Sequence, residues 1–329
     1  MLAIVVNEIN ELGSIELCEV DSPQPESNQV LIESAAAALN FPDLLQIRGK
    51  YQIVPEIPFT PGKEATGVVT AVGSDVQNFK LGDRVLVEVD YGAFAEQVTA
   101  DVRRTFLLPD EIEMPAAAAM GLVYQTAYIA LTERASLRAG ESVLVTGASG
   151  GIGLATIQLA KAFGATVLAA TSDPTKFDAV RHAGADHTID LSMTPLSDGL
   201  RDEVYAVTGG KGVDVVLDVV GGQVFDASLR ALAFGGRIVV LGFTSDEIPN
   251  IKSNYLLLKN IAAVGMTING YFAKQPKIVS AAHIAISDLW HQGKICPHIH
   301  AEMPLSEFAE AFRMLENREI IGKVVLSLK

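Results

Sequence analysis

Between Ser142 and Lys176 the chain reads SVLVTGASGGIGLATIQLAKAFGATVLAATSDPTK, an order of residues that few folds accommodate. Val143-Leu144-Val145 is a run of branched apolar residues, the pattern of a strand buried on both faces. It ends in Gly147-Ala-Ser149-Gly150-Gly151-Ile152-Gly153, after which Leu154, Ile157, Leu159 and Ala160 recur at helical spacing up to Gly164. A second strand is predicted from Thr166 to Ala170. Strand, glycine turn, helix and strand within about 30 residues make a βαβ unit. Glycines allow the tight bend and let a diphosphate approach the backbone. The helix N-terminus adds unpaired N–H groups and a partial charge of about +0.5. The spacing is GxxGxxG, a variant of the dinucleotide fingerprint, in the strand–turn–helix setting that gives such a fingerprint meaning.

The end of the second strand selects the cofactor. A site for NAD usually carries Asp or Glu about 20 residues past the turn, bound to the ribose 2′-hydroxyl. This chain has Thr171 and Ser172 there, with Lys176 a turn further on. Hydroxyls and a lysine suit a 2′-phosphate. Charge-assisted hydrogen bonds worth roughly 1.5–3 kcal/mol each predict about a ten- to hundredfold preference for NADPH. Asp173 argues the other way, and a solvated helix lysine is the plain alternative for Lys176.

The 329 residues are enough for two domains, and 49% of them are apolar, so a large core needs no disulfides. Cys18 and Cys296 are the two cysteines of the chain, which rules out a cystine framework and a four-cysteine zinc lobe. The net charge of −14 speaks against nucleic acid as a partner, so an anionic cofactor has to be held by local donors. The N-terminal Met-Leu-Ala-Ile-Val-Val is short for a signal segment and lacks a basic leader. The longest apolar stretch, Ala116 to Ala130, is interrupted by Gly121, Tyr124 and Gln125, short of a membrane span. A cytoplasmic protein without a membrane partner is expected.

Residues 1 to about 100 read as β-rich, with strands Leu2–Val6, Gln29–Ser34, Glu64–Val72, Arg84–Glu88 and Phe94–Thr99 between Pro and Gly turns. An alanine-rich helix follows from Pro115 to Leu131. Beyond it, strands and helices alternate: Gly212–Gly221, Gly236–Phe243 and Ile261–Ile268 are further apolar strand units. Such alternation implies a doubly wound parallel sheet with ligands at the carboxyl ends of its strands, where Asp218, Gly242 and Phe243 lie. A helix (Ile278–His291), a strand near His298, a helix (Leu305–Leu315) and a strand (Lys323–Leu328) complete the chain. This tail is predicted to return to the N-terminal domain. Cys296-Pro-His298-Ile-His300 is read as a surface strand rather than a metal cluster, because no further ligands lie nearby.

Asn40-Phe-Pro-Asp43, Arg48-Gly-Lys-Tyr51, Pro61-Gly-Lys-Glu64-Ala-Thr-Gly67, the glycine turn and Asn254-Tyr-Leu-Leu-Leu-Lys-Asn resemble the medium-chain dehydrogenase/reductase superfamily. The pattern is most similar to its zinc-free quinone oxidoreductase, zeta-crystallin-like, branch. The resemblance implies an α/β fold: a Rossmann-type doubly wound parallel sheet domain over residues 122–268, and a β-rich GroES-like catalytic domain formed by residues 1–121 and 269–329. It also implies that the nicotinamide sits in the cleft between domains. It carries over Thr126 near the nicotinamide amide, Gly150 to Ile152 at the diphosphate, Gly242 and Phe243 by the ring, and Lys323 at the cleft.

Departures from the zinc alcohol dehydrogenases are informative. The resemblance aligns Asn40, Lys63 and Leu122 with that branch's Cys, His and Cys ligands, and Pro42 with its proton-relaying hydroxyl. This set does not suit zinc, and without a Lewis acid an alkoxide loses its stabilising group. The expected reaction is therefore hydride transfer from NADPH, without zinc, to a small electrophile that spreads negative charge by its own conjugation, a quinone or an enone. Such a step needs positioning and a hydrogen-bond donor for the developing oxyanion. Asn40 is the first candidate donor and Tyr51 the second, while Asp43 orients its neighbours. The plain alternatives are that Asn40 caps the helix begun by Phe41-Pro42-Asp43 and that Tyr51 is a half-buried loop aromatic. An enoyl-CoA, acryloyl-CoA or 2-alkenal reductase is the rival enzyme. An NADPH-binding structural or RNA-binding protein is the rival outside enzymes. A homodimer is expected, with Ile261–Ile268 pairing edge to edge across a two-fold axis.

Overall fold

The computed structural model describes residues 1–9 and 14–328. They divide into two compact units, one formed by residues 1–122 and 297–329 and the other by residues 123–296.

The first unit opens with β1 (Leu2–Val6), β2 (Ile15–Glu19), β3 (Gln29–Ala38) and α1 (Phe41–Ile47). After these come β4 (Glu64–Val72), β5 (Arg84–Glu88), β6 (Gln97–Asp101), β7 (Thr105–Leu107) and α2 (Met114–Ile129). The second unit carries β8 (Ser142–Thr146), α3 (Gly151–Ala162), β9 (Thr166–Thr171), α4 (Phe177–His182), β10 (His187–Asp190) and α5 (Leu196–Val207). It continues through β11 (Val213–Asp218), α6 (Gly222–Ala231), β12 (Leu232–Val240), α7 (Ser253–Lys259), β13 (Ala262–Gly265), α8 (Ile268–Lys274) and α9 (Pro276–His291). The chain then returns to the first unit with β14 (Ile299–Pro304), α10 (Phe308–Glu316) and β15 (Lys323–Ser327).

In the first unit, β3 is the strand on which the sheet turns. Its first half pairs with β6, Gln29 to Glu33 against Asp101 to Gln97. Its last residues, Ala36 to Ala38, pair with β15, and β4 follows it on the other side. Register shifts after Leu31 and after Ser34 supply the bend. Opposite the second shift a Cβ on Gly67 would collide with the Glu33 carbonyl, so glycine is required there. The core gathers Ile4, Ile32, Leu44, Ile47 and Phe94, and α10 adds Phe312, whose ring meets that of Phe94 edge-on at 6.1 Å. The carboxyl-terminal strand thus closes a sheet that the first hundred residues leave unfinished.

The second unit is a six-stranded parallel sheet in the order β10-β9-β8-β11-β12-β13. In local numbering this is 3-2-1-4-5-6, the dinucleotide-binding order with its switch point between β8 and β11. Val143, Leu144, Val167, Leu168, Val215 and Val216 are fully buried, as strands covered on both faces require. The fold class expected from the sequence is the one observed.

The differences are local. Residues 269–296, expected with the N-terminal domain, belong to the second unit because α8 and α9 pack there. The strand predicted to reach Ile268 stops at Gly265, and Ile268 starts α8. The predicted strand Phe94–Thr99 lies at Gln97–Asp101; Phe94 and Ala95 precede it, bonded to β1 through the Ile4 amide and a bridge to Ala3. The apolar stretch around Ala116 forms one helix continuing through a π-turn to Arg134. These 21 residues are long and apolar enough to cross a membrane, yet 78% of the most apolar window is buried inside the protein.

Candidate active site

The glycine turn joins β8 to α3 at the carboxyl end of the sheet. Gly147 has φ +58°, the left-handed region that glycine tolerates. A Cβ on Gly153 would collide with the Gly147 carbonyl, so this glycine lets the helix start lie against its own turn. A Cβ on Gly150 would make only an ordinary contact, 3.5 Å from that carbonyl. No side chain caps α3 at Gly150, which leaves the first-turn N–H groups of Gly151, Ile152 and Gly153 without a side-chain cap. Ser149 is buried within the turn. These features fit a diphosphate.

Two neighbouring strand ends complete this edge. Thr146 donates through Oγ1 to Asp218 Oδ1 at 2.6 Å, and Asp218 also accepts from the amides of Val220 (3.2 Å) and Gly221 (3.1 Å). Burial pushes the Asp218 carboxyl above the usual range while these donors oppose the shift. The Thr244 amide bonds the Val219 carbonyl, which sets Gly242 and the partly exposed Phe243 beside the β11 turn. Thr126 is buried on α2.

At the end of β9, Thr171 is buried and Ser172 exposed. Lys176 is buried too, not the solvated helix lysine of the plain alternative. Asp173 Oδ1 accepts from the Thr175 amide (3.0 Å) and hydroxyl (2.6 Å), which hold its carboxyl below the usual range. That carboxylate caps a short helical turn.

The first unit brings Asn40, Asp43 and Lys323 together around a residue the sequence reading left unassigned, Glu64. Lys323 Nζ donates to the Leu39 carbonyl (2.5 Å), Asn40 Oδ1 (2.6 Å) and Glu64 Oε1 (3.1 Å). All three ammonium protons are thereby engaged within the unit. Asn40 Nδ2 donates to Glu64 Oε1 (2.8 Å) and the Ala38 carbonyl (3.1 Å), so both of its N–H groups are also spent. The donor role expected of Asn40 therefore lacks a donor to fill it. Its backbone serves as N-cap of α1, where its amide donates to Asp43 Oδ2 at 2.8 Å. Asp43 is fully buried and its Oδ1 has no partner. Burial above all raises its pKa to about 7, against the attraction of Lys63 and Lys323. Glu64 is within reach of a sequence argument because it opens β4 in the Pro61–Gly67 motif, but only the fold shows what its charge meets.

Lys63 is 3% exposed and donates to the Asp90 carbonyl at 2.8 Å, with its Nζ 4.4 Å from the centre of the Tyr51 ring. Tyr51 is half-buried. Leu122 offers its backbone amide to Glu64 Oε2 at 2.6 Å. The three aligned positions thus hold an amide bonded on both sides, a buried ammonium and a leucine. Cys296 is bonded through its backbone to Gln158, and His298 and His300 form no metal cluster with it among the described residues.

Sequence comparison bears on both units. Residues 26–110 match the family model described as an alcohol dehydrogenase GroES-like domain, and residues 151–282 that of a zinc-binding dehydrogenase. The mouse quinone oxidoreductase-like protein 2 is 40% identical over 94% of this chain and 87% of its own length. Escherichia coli quinone oxidoreductase, solved with NADPH, superposes with a TM-score of 0.92 at 27% identity, covering 99% of this chain and 100% of the other. The CurK enoyl reductase gives a TM-score of 0.88 at 27% identity, covering 99% and 98%. A two-unit oxidoreductase with a dinucleotide fold and a GroES-like partner defines the class. The chain belongs to the medium-chain dehydrogenase/reductase superfamily, among its quinone oxidoreductase-like members.

A carboxyl with a raised folded-state pKa holds its proton more tightly in the native protein than in the unfolded chain. Its contribution to stability is full at low pH and is lost as pH rises from its ordinary value of 3.8 through about 7. The variant Asp43→Asn has no such loss. Its stability relative to the parent is expected to rise between about pH 5 and 8 by on the order of 2 kcal/mol. Urea denaturation across that range measures this, and a flat difference would show that Asp43 titrates normally.

Proposed function

We propose that this chain is an NADPH-dependent, zinc-independent reductase of quinones. The carrying observation is the fate of the three positions aligned with zinc ligands. Asn40 is closed between Lys323 and Glu64, Lys63 is a buried cation, and Leu122 contributes only its amide. Acceptors that need a Lewis acid are poorly served by this set, whereas a quinone stabilises the incoming electron pair itself. When bound, NADPH supplies the hydride.

In this reading the turn Gly147–Gly153 holds the diphosphate, with Thr171, Ser172 and Lys176 around the 2′-phosphate. Thr126, Gly242 and Phe243 flank the nicotinamide end. With the N–H groups of Asn40 and Lys323 spent, the half-buried Tyr51 is the donor for the acceptor's oxygen. The buried placement of helix Met114–Arg134 supports a soluble protein, and the net charge of −14 argues against RNA. The likeness to CurK favours a second reading, an enoyl thioester reductase using the same hydride step.

Unpaired edge strand β13 also supports a homodimer, since Leu257 and Leu258 just before it are 77% and 72% exposed.

Steady-state assays with 1,4-naphthoquinone and acryloyl-CoA discriminate the acceptors: quinone turnover is expected to dominate, and turnover of the thioester alone rejects the first reading. Lys176→Ala is expected to lower the NADPH-over-NADH ratio of kcat/KM about tenfold, as loss of one charge-assisted bond implies. An unchanged ratio removes Lys176 from the phosphate site. Light scattering is expected to give twice the 35.0 kDa of one chain, and a monomer mass would leave β13 unpaired.

A further inference from the structure

Lys63 has no role in the hydride step proposed above, yet holding its ammonium out of water is costly. The side chain reaches the Asp90 carbonyl and the face of the Tyr51 ring, 4.4 Å from its centre. Residue 63 directly precedes β4, while Tyr51 lies in the loop after α1. A cation over an aromatic face is attracted by the ring's quadrupole. It stabilises the phenolate, whose negative charge spreads into the ring, more than the neutral phenol.

We infer that Lys63 acts through Tyr51: its buried ammonium, held against the ring, makes the phenol a stronger acid for protonating the oxygen of the reduced acceptor. The proposal rests on the reading of Tyr51 as donor. As the quinone gains hydride, one oxygen takes up negative charge. The Tyr51 O–H bond breaks and a new O–H bond forms on that oxygen. The electron pair of the broken bond stays on Tyr51, and water returns the proton. Quinone, hydride and proton together make the hydroquinone, so atoms and electrons balance. Lys63 itself, 3% exposed, is a positioning residue that never touches the acceptor.

The charges around this pair set its pH behaviour. Burial first of all, with Arg104 beyond β6 adding to it, holds the Lys63 ammonium below its usual pKa range, while Asp43 from α1 and Asp90 beyond β5 oppose that shift; Arg104 pairs with Asp90 at 2.9 Å. Glu64 and Lys323 reach the pair through their effect on Asp43. Asp43 offsets the cation only once it has lost its proton, so the acidifying effect is strongest on the acid side of that titration.

The test is a tyrosinate absorbance titration of the parent, Lys63→Met and Lys63→Arg, each paired with the same protein carrying Tyr51→Phe so that the difference isolates Tyr51. Tyr51 is expected to ionise about one pH unit lower in the parent and in Lys63→Arg than in Lys63→Met. The alkaline limb of kcat for naphthoquinone should move up by the same amount in Lys63→Met, with NADPH affinity unchanged. Equal ionisation in parent and Lys63→Met overturns the proposal. Should Lys63→Met fail to fold, the parent alone decides. Tyr51 must then ionise below Tyr91, which is 47% exposed and is isolated in the same way with Tyr91→Phe. The titration needs no turnover. A shifted Tyr51 in a protein that reduces no electrophile upholds the coupling between the two side chains and overturns the donor role.

Discussion

The buried pair of Lys323 and Glu64 is the interaction on which the first unit depends. Glu64 is fully buried, and three hydrogen-bond donors meet its carboxylate there. Oε1 takes Lys323 and the Asn40 amide, and Oε2 takes the amide of Leu122. These donors come from the carboxyl-terminal strand, from the turn before α1 and from the middle of α2. One carboxylate therefore ties together segments nearly three hundred residues apart in sequence. A side chain at residue 121 would strike Glu64, which explains why α2 carries a glycine in the middle of an alanine-rich run.

The second unit solves a similar problem by neutral means. Its sheet is pinned at the carboxyl ends by Thr146 and Asp218 across the switch point. Asp218 is satisfied by a hydroxyl and two amides, without a cation. The donors this edge carries are helix and turn amides rather than a field of basic residues.

Most of the second unit was legible in the sequence because its signals are local. A βαβ turn is written in consecutive residues, and strands buried on both faces announce themselves as apolar runs. The exception, β10, reads His187-Thr188-Ile189-Asp190 with a single apolar residue, so periodicity does not reveal it. In the first unit the strands were largely visible, whereas the polar cluster was only half so. Asn40, Asp43 and Lys323 could be singled out by resemblance, but that the Asn40 amide faces inward depends on Lys323 arriving 283 positions later. Glu64 reads as one more residue of a turn motif until β15 closes the sheet. No boundary signal in the residues separates α8–α9 from the tail, since each is helical and followed by a turn.

The charges of the cluster explain what kind of chemistry it leaves open. Lys63 and Lys323 bring two cations into a buried region that also holds Asp43, Glu64 and Glu88. Glu64 and Glu88 stand opposite each other in the β4–β5 register, and Glu88 has no partner for either oxygen. Burial first, and Glu64 second, push the Glu88 carboxyl well above the usual range. Glu88 and Asp43 are thus both carboxyls whose protonated form burial favours beside these cations. A divalent metal introduced here would have to displace Lys323 from Glu64 and Asn40, breaking the contact that closes the sheet. The cluster is thus a set of charges fixed by the same contacts that join β15 to the turn before α1 and to β4.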